Sequence, residues 1–182
     1  MRHTIPFASS AFLFLMVAAC VPAPAPQSAP PPPPTIAAPP PASLSADWRD
    51  WPVAAGDWSY RRVDGGSLAS YSAPGAAAQL TIRCETASHS LTVSRAAYGM
   101  PEQIVGQMTV HTSFGDAQWP VIAGQAPGAD TPYAVATRAA ADGTFDKIAY
   151  SRGRFAIEAP GTQSISVPAW AEVSRVIEDC RG

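Results

Sequence analysis

The stretch Ala78-Gln79-Leu80-Thr81-Ile82-Arg83-Cys84 puts Ala78, Leu80, Ile82 and Cys84 at every second position, with polar residues between them. Successive side chains of a strand point to opposite faces, so this period of two predicts a strand with one face on a core and the other toward water. Upstream, Trp58-Ser59-Tyr60-Arg61 runs into Asp64-Gly65-Gly66, and Leu68 to Ser72 returns before Pro74-Gly75. Asp and Gly at such points favour tight reversals, so these segments read as the first strands of an antiparallel meander.

Outward from that centre the same alternation recurs. Leu91 and Val93 alternate with Thr92 and Ser94, and Met108 and Val110 with Thr109 and His111. Phe155 and Ile157 oppose Ala156 and Glu158, Pro160-Gly161 turns the chain, and Ile165 and Val167 oppose Ser164 and Ser166. Between them, Phe114 to Asp130 is rich in Gly, Pro and Ala and predicts a long loop. After Pro168, a residue suited to a first helical turn, the period changes: Trp170, Val173, Ile177 and Cys180 share one helical face. Arg175 and Asp179 stand four apart on the other and could pair. The expected fold is α+β: a mainly antiparallel sheet, either a small sandwich or a half-barrel, with a C-terminal α-helix.

The two ends of the chain differ in kind. Residues 1–19 carry Arg2 and His3, then a nearly uninterrupted apolar or small run to Ala19, the anatomy of a secretory signal. That run is short for a membrane span, which needs about 20 residues. Residues 21–43 hold no charge and no aromatic ring, and contain Pro30 to Pro34 in one run. Such a segment cannot bury enough surface to fold, and it extends as polyproline II with a reach on the order of 70 Å. It reads as a spacer. The remaining 44–182 is large enough for one self-sufficient core.

Val17-Ala18-Ala19-Cys20 resembles the lipobox of bacterial lipoproteins: an aliphatic residue, two small ones, then cysteine. The resemblance implies cleavage before Cys20, a diacylglycerol on its thiol and acylation of the new N-terminus, with the membrane lipid as a partner. Several acyl chains anchor stably where one does not. Residue 21 is Val21 rather than the aspartate that often retains such proteins at the inner membrane, so the expected location is the outer membrane, facing the periplasm. With Cys20 lipidated, Cys84 and Cys180 remain as a pair in an oxidising compartment, both on inward faces. A disulfide between them is expected.

Chemistry is sparse. The net charge is −2, with Lys147 the one lysine among 12 basic residues, so no basic stripe exists for nucleic acid. No HExxH or CxxC spacing and no glycine loop followed by lysine is present, so no metal or other cofactor is expected. Beyond the leader, His89 falls in a turn and His111 on a polar strand face, both positions of surface residues. Ser151, followed by Arg152 and Gly153, has part of a nucleophile elbow, but Ala149 stands where the first glycine belongs. A small hydrolase using Ser151 is therefore one alternative, and the chain is expected not to be an enzyme.

Two features point to binding of an envelope protein or a glycan. Trp48 and Trp51, each after an aspartate, could stack on sugars or anchor a partner, or simply cover the sheet. Arg152 and Arg154 could hold an anionic group with two guanidinium forks, or form a solvated turn. Ser151 to Phe155, with Pro168-Ala169-Trp170 and Glu172 through Arg181, resembles the C-terminal third of uncharacterised bacterial envelope proteins. A small β domain on a lipid anchor is also similar to the lysozyme-inhibitor lipoproteins, although their compact cysteine arrangement and inhibitory loop are not matched. The function read from the sequence is a membrane-anchored binding or envelope-maintenance module, with a lysozyme-type hydrolase inhibitor as the alternative.

Overall fold

In the computed structural model, which describes residues 44–98, 104–125 and 131–182, Gly65 turns the chain between β1 (Asp57–Val63) and β2 (Gly66–Ser72) at φ +77°. Only glycine adopts such an angle without strain. Gly66 is required for a second reason. A Cβ there would lie 2.1 Å from the Cys84 carbonyl oxygen of β3 (Leu80–Glu85), so the third strand could not close on the hairpin. β4 (Ser90–Ala96) completes this meander.

Five further strands follow: β5 (Gly106–His111), β6 (Ala117–Gln125), β7 (Pro132–Ala139), β8 (Arg154–Glu158) and β9 (Ile165–Pro168). The sheet runs β1-β2-β3-β4-β7-β6-β5-β8-β9, and every pairing between these strands is antiparallel. Its two edges approach each other. Val53, just before β1, bridges Ser166 of β9, and the Trp58 indole of β1 donates to the Pro168 carbonyl at 2.8 Å. The sheet is thus a nine-stranded half-barrel, and the α+β class with a C-terminal helix is as expected.

Helix α1 (Thr144–Ala149) leads from β7 into β8, and α2 (Ala171–Arg181) ends the chain. α2 packs on α1 and across β1 to β4. Val173, Val176, Ile177 and Cys180 of α2 are buried in one cluster with Leu80, Ile82, Leu91 and Val93. The predicted bridge is present: Cys84 of β3 and Cys180 of α2 form a disulfide with their Cα atoms 5.4 Å apart, inside the range such bonds require.

The fold corrects the sequence reading of several elements. The loop expected over Phe114 to Asp130 contains β6, in which Trp119 and Val121 are buried while Pro120 is exposed. Pro120 is tolerated because β6 pairs with β5 there, and its ladder to β7 begins only at Ile122. β7 and α1 were not foreseen. The last helix begins at Ala171, so Pro168 belongs to β9 and Trp170 is a half-exposed cap residue rather than part of the buried face. Asp179 accepts from the Tyr60 hydroxyl at 2.5 Å and faces Arg62 at 3.7 Å, while the Arg175 guanidinium lies over the Tyr60 ring, so the expected Arg175–Asp179 pair gives way to contacts with β1. The leader, the lipobox with Cys20, and the proline-rich spacer lie outside the described residues.

Candidate functional site

The N-terminal arm over 44–54 lies across the outer face of β8 and along the edge of β9. Its sequence forms a single 3-10 turn, Trp48–Asp50, because the Asp47 carboxylate caps it by accepting from the Arg49 amide at 2.9 Å. That hydrogen bond holds the Asp47 carboxyl below its ordinary range. The turn directs Trp48 and Trp51 to the same side, where they bury Ala156 of β8 beneath them. Ala156 alternates with Phe155 and Ile157, which face the main core, so β8 is covered on both faces.

Polar contacts at two points fix the arm to the sheet, and one more braces it internally. The Arg154 guanidinium donates to the Trp51 carbonyl at 2.9 Å and lies 3.5 Å from that of Arg49. The Trp51 indole donates to the Ser45 carbonyl at 2.7 Å. Ala54 N–H donates to the Ser166 carbonyl at 2.9 Å, and the Ala54 carbonyl accepts from the Tyr71 hydroxyl at 2.6 Å.

Between the two tryptophans sits His111 of β5. Trp48 stacks on its ring with centroids 6.0 Å apart, and Trp51 meets it edge-on at 5.8 Å. Its Nε2 donates to the Glu158 carboxylate at 2.7 Å. Asp116 Oδ1 stands 3.0 Å from Nδ1 without hydrogen-bond geometry, so Nδ1 has no hydrogen-bond partner among the described residues. The imidazole side chain is only 12% exposed, against the surface position expected from the sequence. The Arg49 guanidinium, 5.1 Å from the Trp48 ring centre, adds a cation–π contact.

These groups line an open groove of about 580 Å³ beside the arm. Its rim carries the half-exposed carboxylates of Asp47, Asp116 and Glu158, with the Arg49 guanidinium beside them. The groove can exchange hydrogen bonds and charge with a polar or basic group. It does not offer an open stacking platform, since both indoles are buried against the sheet.

The residues singled out in the sequence divide accordingly. Trp48, Trp51 and Arg154 come together, the arginine acting as a clamp on the arm's carbonyls. Arg152 is exposed and its backbone amide donates to Ser113 Oγ at 2.9 Å; the two arginines do not form a joint anion fork. Ser151 is buried, donates to the Arg154 carbonyl at 2.5 Å and accepts from the Ser113 amide at 3.0 Å. Among the described residues neither histidine nor any carboxylate lies within hydrogen-bond distance of it, so the hydroxyl has no base. Among the same residues, no group of three His, Cys, Asp or Glu is placed to hold a metal ion. His111 with Asp116 and Glu158 escaped the sequence reading; its only signal is the cross-strand diagonal that follows once β5 is paired with β8.

No protein-family model matches this chain, and neither a curated protein nor a solved structure matches it.

Proposed function

We propose that this chain is a lipid-anchored binding module of the bacterial envelope, held at the outer membrane through acylated Cys20 and recognising its partner at the groove beside the arm. One observation carries the reading: a proline-rich stretch that follows a lipobox leads straight into an arm pinned at the rim of a groove. The groove's three half-exposed carboxylates favour an envelope protein presenting a basic segment over an anionic glycan. The same acidic rim supports the second reading, inhibition of a lysozyme-type hydrolase, when that enzyme presents basic surface.

Both halves of the proposal are testable in cells. The wild-type chain is expected to fractionate with the outer membrane as a processed, acylated protein, and Cys20→Ala to be soluble or uncleaved. A Cys20→Ala chain that still fractionates as a processed lipoprotein defeats the anchor. Crosslinking in intact envelopes should capture a partner that Asp116→Lys loses. A hydrolase inhibition assay separates the two readings.

A further inference from the structure

His111 lies under the arm with a carboxylate at each ring nitrogen. Glu158 Oε1 of β8 is 2.7 Å from Nε2, and Asp116 Oδ1, from the turn between β5 and β6, is 3.0 Å from Nδ1. A neutral imidazole carries a single N–H. With that proton on Nε2, the buried Nδ1 is left unpartnered beside the Asp116 oxygen. With it on Nδ1, the bond to Glu158 is lost and a bare nitrogen meets that carboxylate instead. Only the imidazolium has an N–H for each side. Asp116 is half-exposed, so a small movement of its side chain brings it into line with a charged Nδ1–H.

The same proton acts on the arm. Trp48 stacks on the imidazole with ring centres 6.0 Å apart, a distance at which the face of an indole attracts a cation. The charged groups around the ring come from three elements: Asp47 and Arg49 from the arm, Asp116 from the β5–β6 turn, and Glu158 and Arg154 from β8. The two carboxylates at the ring nitrogens are nearest. Arg49 is well exposed and paired with Asp47, so water and salt screen it, and Arg154 is turned to the carbonyls of Arg49 and Trp51. The balance favours a positive ring while the arm is docked.

We propose that His111 is a proton-operated latch for the N-terminal arm, the imidazolium holding Trp48 and Trp51 on β8 and the neutral ring loosening them. The docked arm then binds the proton more tightly than the released arm does, so docking strengthens as pH falls and weakens as pH rises. Histidine is the side chain whose charge changes between about pH 5 and 8, a window in which carboxylates stay ionised. Because Asp47, Trp48, Arg49 and Trp51 line the groove, loosening the arm also reshapes the groove. The latch works whether or not a partner is bound there.

The test follows trypsin cleavage after Arg49 in the full-length chain at constant ionic strength between about pH 6 and 8. Each rate is divided by that of a free peptide of residues 44–54 under the same conditions, which removes the protease's own pH dependence and leaves the opening of the arm. The ratio should rise about fivefold across the window, the scale of one partly exposed ion pair. Asp116→Asn, at a half-exposed position, should keep the fold and lose most of that rise. His111→Gln should give a level profile. A wild-type ratio that stays level or falls as pH rises overturns the latch. So does a fivefold rise that persists in both Asp116→Asn and His111→Gln, since the titrating group would then lie elsewhere.

Discussion

α2 and the N-terminal arm both cover the sheet, from opposite faces, and they are held by different forces. α2 buries Val173, Val176, Ile177 and Cys180 to 2% exposure or less, and its last turn is bonded covalently to β3. The arm lays two indoles on β8, but each also touches an imidazole between two carboxylates, and its backbone is pinned by one arginine and a few carbonyl bonds. Apolar burial with a covalent tie responds little to ions or ligands. Polar pinning at a groove's edge responds to both, so the arm is the part of the sheet's cover whose hold ions and ligands can change.

The largest expected difference between the two faces is in single tryptophans. Trp119 is 2% exposed and packs on Phe145 of α1 with ring centres 5.3 Å apart. Trp119→Ala should cost about 3 to 5 kcal/mol, as a full core truncation does. Trp48→Ala should cost about half as much, because its price is capped by the free energy of releasing the arm alone. Urea unfolding of the full-length chain measures both. Equal losses would mean that the arm unfolds with the core and that the two faces do not differ.

Next in size is the disulfide, which spans 96 residues of sequence. Chain-entropy arithmetic for such a loop gives a ceiling of about 4.7 kcal/mol, and about 3 is expected in practice. Replacing Cys84 and Cys180 together by Ala should lower the urea midpoint accordingly, while trypsin cleavage after the half-exposed Arg49 in the arm keeps its wild-type rate under native conditions. Faster cleavage at Arg49 would couple the faces that the contacts separate.

The inner face was also the more legible of the two in the sequence. Leu80, Ile82, Cys84, Leu91 and Val93 announce it by strict alternation, and all are buried as that period requires. β6 was hidden because Pro120 and Gly124 are loop residues by local preference, and only pairing with β5 and β7 overrides them. α1 is a single short helix whose buried apolar residues, Phe145 and Ile148, are too few to show a period. At the site, Trp48, Trp51 and Arg154 stood out by residue type. His111 did not, since what distinguishes it is the company it keeps: Asp116 and Glu158, brought together from separate segments. Local sequence carries the period of a strand, but not the identity of its non-local neighbours.

The smallest effect concerns pH and is read at Asp179, where α2 meets β1. Partial burial raises the Asp179 carboxyl, but the hydrogen bond from Tyr60, the neighbouring Ser67 hydroxyl and the charges of Arg62 and Arg175 outweigh it and hold the group below 3.8. A carboxyl depressed on folding adds stability that is fully present above its unfolded value and disappears as pH falls through its folded one. Asp179→Asn should therefore cost up to about 1 kcal/mol at neutral pH, the scale of one such hydrogen bond, and next to nothing well below pH 3.8. Urea midpoints at both pH values give the answer. A gap that persists undiminished into acid would mean that Asp179 holds α2 on β1 by shape and not as an ionised acceptor, leaving the inner face without any titrating contact between α2 and β1.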